Sequence, residues 1–144
     1  RRYADFLLDE LVNNNIAFSL IMIDIDHFKK VNDEFGHLAG DQVLHFVSKS
    51  LKNLCSDQDE CIRLGGEEFI IILPKKVIQE AYILGERLRK TVEDSLPPIH
   101  KKITISLGVG EYKPGENINE IMHRVDLALY EAKSNGRNIT VMAT

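Results

Sequence analysis

Apolar positions recur along this chain in two alternating rhythms, and their succession predicts ten elements. Tyr3, Phe6, Leu7 and Leu11 fall at helical spacing, so residues 1–13 are expected to form an amphipathic helix that stops in Asn13-Asn14-Asn15. Phe18 to Ile25 is a β-branched apolar run broken by Asp24, the pattern of a strand buried on both faces. His27 to Phe35 predicts a short helix with Asp26 as its N-cap and Gly36 as its stop. Val43, Leu44, Val47, Leu51 and Leu54 mark one face of a helix over 40–54. Residues 60–74 read as a hairpin: Cys61-Ile62-Arg63-Leu64 leads in, Gly65-Gly66 forms the tip, and Phe69 to Leu73 leads out to Pro74. Ile78, Ala81, Leu84, Leu88 and Val92 give a helix over 77–92, and Ile103 to Val109 alternates as a strand. A long helix from Ile118 to Ala132 ends before Gly136, and Ile139 to Met142 is a last short strand. Helices therefore alternate with strands around an antiparallel hairpin, which predicts an α+β domain: a mixed sheet covered by helices.

At 144 residues the chain fits one domain, 1–144, with no repeat, linker or low-complexity tract. Hydrophobic residues make up 44% and charged residues 28%, as in ordinary globular proteins. No apolar run approaches the roughly 20 residues that span a bilayer, so no membrane contact is expected. The start, Arg1-Arg2-Tyr3-Ala4-Asp5, has no h-region and no initiator Met, so the chain is expected to be an N-terminally truncated piece of a longer protein. A net charge of −4 argues against a nucleic-acid footprint; a phosphate ligand would need local cations or metal. Cys55 and Cys61 lack CxxC spacing and read as reduced thiols, pointing to a cytoplasmic location.

Candidate chemistry concentrates at a few positions. Gly65-Gly66-Glu67-Glu68-Phe69 sets two carboxylates beside a bare backbone turn, which suits a divalent metal and a phosphate. The hairpin taken alone reads more readily as an ordinary turn with solvated acids. Asp24, near the end of the most hydrophobic strand, is costly unless paired, protonated or bound to metal, and a metal role stands level with a plain sheet-edge role. Magnesium takes oxygen ligands, usually one or two carboxylates plus substrate phosphates, and Asp24 with Glu67 would serve if the first strand and the hairpin lie side by side. The amides of Phe28 and Lys29 at a helix start favour phosphate. Asn32 and Asp41 could present an amide and a carboxylate to a base edge, and a carboxylate there matches the two N–H donors of guanine and rejects adenine. A helix end followed by an N-cap Asp explains the same pair more simply. Lys133 and Arg137 either answer the dipole of the last helix or clamp a phosphate. His37 reads as structural, and Gly108-Val109-Gly110 is too weak for a dinucleotide motif.

Taken together these segments resemble the GGDEF family of diguanylate cyclases along nearly the whole chain. Asp24-Ile25-Asp26-His27-Phe28-Lys29, Asn32-Asp33, Gly36-His37 and Gly40-Asp41 follow that family's first block in order and spacing. Gly65 to Phe69 is similar to its signature in the Glu variant. Thr104 to Gly108, then Asp126 to Tyr130 with Ala132-Lys133 and Gly136-Arg137-Asn138, resemble its later blocks. The resemblance implies a ferredoxin-like palm fold, with a mixed, mostly antiparallel sheet of about five strands, similar to class III nucleotide cyclases. It implies condensation of two GTP into cyclic di-GMP by a homodimer controlled by an upstream sensory domain. It implies two magnesium ions, or manganese, held by Asp24, Glu67 and the carbonyl of Ile25. Asn32 and Asp41 would read guanine; the amides of Phe28 and Lys29, with Lys133 and Arg137, would grip phosphates. Glu68 would assist deprotonation of the ribose 3′-OH or support the second metal.

Two departures stand out. The family's Arg-x-x-Asp product site reads Ser56-Asp57-Gln58-Asp59 here, so strong product inhibition through it is not expected. The family's lead-in before the first helix is missing but for its final arginine, so part of the guanine pocket wall is expected to be absent. A catalytically inactive, GTP-binding regulatory module is the alternative to an active cyclase; the intact acids Asp24, Glu67 and Glu68 favour activity. A cyclase of relaxed base choice is disfavoured by Asp41.

Overall fold

A computed structural model describes residues 2–144 and carries the ten elements in the expected order. Arg1, where the opening helix was expected to begin, lies outside the described residues. Helix α1 spans Arg2–Asn13, strand β1 Phe18–Ile25, helix α2 Phe28–Phe35 and helix α3 His37–Leu54. Strands β2 (Glu60–Gly65) and β3 (Glu68–Pro74) make the hairpin. Helix α4 (Ile78–Asp94), strand β4 (Ile105–Glu111), helix α5 (Ile118–Ser134) and strand β5 (Thr140–Met142) follow. The sheet order is β2-β3-β1-β4-β5, and every pairing is antiparallel except β4 with β5. This is the ferredoxin-like arrangement, with a mixed, mostly antiparallel sheet of five strands. No described helix is long and apolar enough to cross a membrane.

Every residue of β1 is buried, because this central strand is covered on both faces. Its alternate side chains feed two cores. Ile21, Ile23 and Ile25 join Phe69, Ile71, Leu73, Leu107 and Val109, where Val47 and Leu51 of α3 and Ala81 and Leu88 of α4 meet them. Leu20 and Met22 join Ile70 and Ile72 on the opposite face with Leu8 of α1 and Met122, Val125 and Leu129 of α5. Each large aliphatic buried this way contributes roughly 1.5–3 kcal/mol. A one-residue slip would hand each set to the other core, so the register rests on how each set fits its own face and not on an apolar–polar alternation.

Three local expectations are corrected. Asp26 does not cap α2: His27 occupies that position in a left-handed conformation, φ 56°, with no side-chain cap. Helix α3 starts at His37, so Asp41 lies within it and is not an N-cap. Strand β4 begins at Ile105, two residues later than the alternation suggested. By contrast α5 starts as a capping box should: Asn117 Oδ1 accepts from the Glu120 amide at 2.8 Å, and Glu120 Oε1 accepts from the Asn117 amide at 3.0 Å.

The Gly108-Val109-Gly110 segment serves packing. A Cβ at Gly108 would come within 2.5 Å of the Val125 carbonyl oxygen and 2.6 Å of the Leu129 nitrogen, so α5 lies directly on the backbone of β4. At Gly110 the nearest atom is the Val125 Cγ2 methyl, 2.6 Å away, which can turn aside. Gly108→Ala should therefore destabilise the domain by about 2 kcal/mol and Gly110→Ala by clearly less, read from denaturant melts. Equal losses at the two positions would contradict the close approach of α5.

Candidate functional site

The register of the sheet builds the site. Asp24, one residue from the end of β1, pairs with Glu68 at the start of β3, and the Ile25 amide donates to the Glu67 carbonyl oxygen at 3.3 Å. The hairpin tip holds its shape through Gly66 at φ 53° and through Arg63 Nε, which donates to the Gly66 carbonyl oxygen at 2.8 Å. Acids from the strand and from the hairpin thus share one end of the sheet.

Asp24 is almost wholly buried. Its Oδ2 is tied to Lys133 Nζ of α5, while its Oδ1 is buried with no hydrogen-bond partner among the described residues. Burial pushes the Asp24 carboxyl up to about 6; Glu67 and Glu68 push the same way, and the Lys133 ammonium opposes them. A desolvated carboxylate oxygen without a hydrogen-bond donor, with further acids near enough to raise its pKa, has the chemistry to accept a hard cation. Among the described residues no three His, Cys, Asp or Glu side chains gather in metal-binding geometry. Four carboxylates line the cavity here: Asp26 is engaged by internal donors and Asp33 stands on α2, which leaves Asp24 and Glu67, with Ile25 beside them, at the end of the sheet. That fits a cation completed by substrate oxygens better than a closed protein cage.

A cavity of about 450 Å³ opens in front of these acids and joins Asp24, Ile25, Phe28, Lys29, Glu67, Lys133 and Arg137. Lys30 and His27 line it as well. Four lysine and arginine side chains therefore converge on one cavity of a chain whose net charge is −4. The first amides of α2 have no partner within the helix and lie on the same wall.

Three residues expected at the site lie outside this cavity. Glu68 is exposed and lines a neighbouring hollow of about 350 Å³ with Met22, Met122, His123 and Asp126. Asn32 is half-buried one turn after Phe28, packed so closely on Gly40 that a methyl there would strike its Oδ1. Asp41 is exposed next to Gly40. Asn32 and Asp41 are thus brought to the same α2–α3 junction, beyond the rim of the cavity. At the position of the product site, Asp59 is engaged internally, accepting from Lys76 Nζ at 2.8 Å and from the Ser56 amide at 2.9 Å.

Sequence reasoning missed a buried cluster beside the cavity. Asp26 accepts from Thr104 Oγ1 at 2.8 Å, Ser106 Oγ at 2.6 Å and the Asn138 amide at 3.0 Å. Thr104 and Ser106, two apart and so on one face of an extended chain, were the available signal.

Residues 1–139 match the family model described as diguanylate cyclase, GGDEF domain. The chain is 48% identical over 126 residues to diguanylate cyclase A of Treponema denticola and 40% identical over 144 residues to diguanylate cyclase VdcA of Vibrio cholerae. Those matches cover 85% and 96% of this chain but only 34% and 42% of the relatives, so the chain spans well under half their length. It is also similar to the solved structure of the active GGEEF domain of a diguanylate cyclase from Vibrio cholerae. There the TM-score is 0.87 at 38% identity, covering 98% of this chain and 90% of that one.

The raised Asp24 carboxyl carries a pH signature. A group lifted from 3.8 to about 6 leaves the folded chain holding more protons than the unfolded one across that window. Stability from this group is therefore lost as pH rises from about 4 to 6, by up to about 3 kcal/mol. In chelator-treated protein, Asp24→Asn should match the wild type near pH 4 and exceed it by about 1–3 kcal/mol at pH 7. A variant less stable than wild type at pH 7 would contradict the assignment.

Proposed function

The chain belongs to the GGDEF-domain family of diguanylate cyclases, and we propose that it acts as one, condensing two GTP into cyclic di-GMP with release of pyrophosphate. The observation that carries this reading is the buried, unpartnered Oδ1 of Asp24, a residue that lines one cavity together with Glu67, Lys29, Lys30, Lys133 and Arg137. The family generally works with a divalent metal ion. Here magnesium or manganese would be held by the carboxylates of Asp24 and Glu67 and the carbonyl of Ile25, two ions per site. When bound, such ions supply positive charge that lowers the pKa of a ribose hydroxyl and offsets charge gathering on the phosphates.

The residues of the chain divide the remaining work. Phe28 and Lys29 offer their amides, and Lys133 and Arg137 their charges, to the phosphates. Asn32 and Asp41 receive the guanine edge, the carboxylate accepting from its two N–H donors. Glu68 takes the proton from the ribose O3′ or supports the second ion. O3′ then bonds to the α-phosphorus of the other GTP as the bond to pyrophosphate breaks in line. Lys133 has a double duty in this scheme: it balances Asp24 while the site is empty, and turns to phosphate once a cation replaces it.

Each domain would hold one GTP, so two domains meet face to face around a two-fold axis, and the reaction run from both sides closes the ring. A regulatory segment outside these residues, of the kind the relatives' greater length leaves room for, is proposed to control that meeting. With Asp59 engaged by Lys76 and no arginine at Ser56, strong product inhibition through that position is not part of the proposal.

Fused to a dimerising helix and given GTP with magnesium, the domain should release cyclic di-GMP, detected by chromatography. Glu67→Gln in the same fusion should lower turnover by at least about a hundredfold, as expected for loss of a charged transition-state contact. Tight GTP binding without product would instead mark a regulatory module, and full activity in Glu67→Gln would remove that residue from the site.

A further inference from the structure

Three consecutive residues, Gly136, Arg137 and Asn138, have left-handed backbone, with φ of 108°, 65° and 51°. Arginine is strained there, and strain of this kind persists only where the surroundings over-determine it. The surroundings here converge on Asn138. Its amide donates to Asp26 Oδ2 at 3.0 Å and to Ser106 Oγ at 3.2 Å. Its side-chain Nδ2 donates to Glu93 Oε2 at 2.6 Å, and its Oδ1 accepts from Arg89 Nη1 at 3.3 Å. Asparagine is the side chain most at ease in this conformation that can also make those bonds.

Asp26 is the other end of the tie. It is buried and accepts from Thr104, Ser106 and Asn138, while its own amide donates to the Thr104 carbonyl oxygen at 3.0 Å. Both of its carboxylate oxygens are therefore engaged internally. Although it lines the cavity two residues from Asp24, it is not left open to a cation as Asp24 is. It stands immediately before the His27 turn that starts α2, and across the cavity wall it holds the residue after Arg137.

We propose that Asp26 and Asn138 are positioning residues, a clamp that locks the turn between α5 and β5 so that the Arg137 guanidinium and the first amides of α2 face the same phosphate group. Neither residue touches the nucleotide. The two aspartates of the Asp24-Ile25-Asp26 segment thus have opposite tasks: the first is kept open for an outside ligand, and the second is closed by internal donors. The inference rests on the phosphate role proposed for Arg137.

A double-mutant cycle tests it, read as the affinity of the full chain for a non-hydrolysable GTP analogue with magnesium by titration calorimetry. Arg137→Ala and Asp26→Asn should each weaken binding about tenfold, the scale of one charge-assisted contact. Their combination should be no weaker than Arg137→Ala alone, since a clamp has nothing left to position. Asn138→Gly keeps the amide and the backbone conformation but loses the bonds to Glu93 and Arg89; it should weaken binding severalfold, and only while Arg137 is present. Should Asp26→Asn not fold, this variant carries the same cycle. Losses that multiply in the double variant, or wild-type affinity after substitution at 26 or 138, overturn the clamp while leaving Arg137 its phosphate. Unchanged affinity in Arg137→Ala removes the phosphate role and the clamp together.

Discussion

A carboxylate held largely away from water organises this domain. Asp24 stands one residue from the end of the strand on which both cores converge, so desolvation lifts its carboxyl to about 6, and the two glutamates of the hairpin add to the lift. Lys133 answers one oxygen, and the other has no partner among the described residues. A chain shaped only for stability would place an apolar side chain here, since a buried polar atom without a partner is among the more expensive features a core can hold. Such an exception to local consistency is a mark of function. The same register that buries Asp24 sets Glu68 opposite it and draws Glu67 alongside.

What surrounds Asp24 depends on how closely two backbones can approach. Helix α5 lies on β4 without an intervening side chain at Gly108. Lys133, one turn beyond Leu129 on that helix, thereby reaches Asp24. The helix then ends in a turn whose left-handed residues carry Arg137 to the cavity. On the far wall His27 turns the chain into α2, presenting free amides. Net charge is a poor guide to such a place. Lys29, Lys30, Lys133 and Arg137 line the same cavity as Asp24, Asp26, Asp33 and Glu67, so charges of both signs gather there within an acidic whole.

The hydrophobic rhythm made the element order and the two-sided burial of β1 legible, because helix and strand periods differ and the core rewards each in its own way. Element ends were less legible. Helix α3 begins three residues before the 40–54 span that its apolar face marked, and Thr104 belongs to the approach to β4, not to the strand. The site was legible mainly through the likeness of its motifs to a known family. Nothing in local spacing says that Lys133 meets Asp24, from which it is separated by 109 positions. Asp26 was misread for the same reason. Capping is a local inference, whereas its partners Thr104, Ser106 and Asn138 lie 78, 80 and 112 positions away. Asn32 and Asp41 sit at one junction outside the cavity rim, a placement set by the packing of Asn32 on Gly40.

The central claim is that Asp24 is left incomplete so that a cation bound with GTP can complete it. Anomalous diffraction from crystals of the domain grown with manganese and a non-hydrolysable GTP analogue tests this most directly. The account predicts a manganese peak coordinated by both Asp24 and Glu67, with Lys133 turned from Asp24 towards phosphate. A nucleotide bound with its manganese elsewhere, and Lys133 still paired to Asp24, would contradict it.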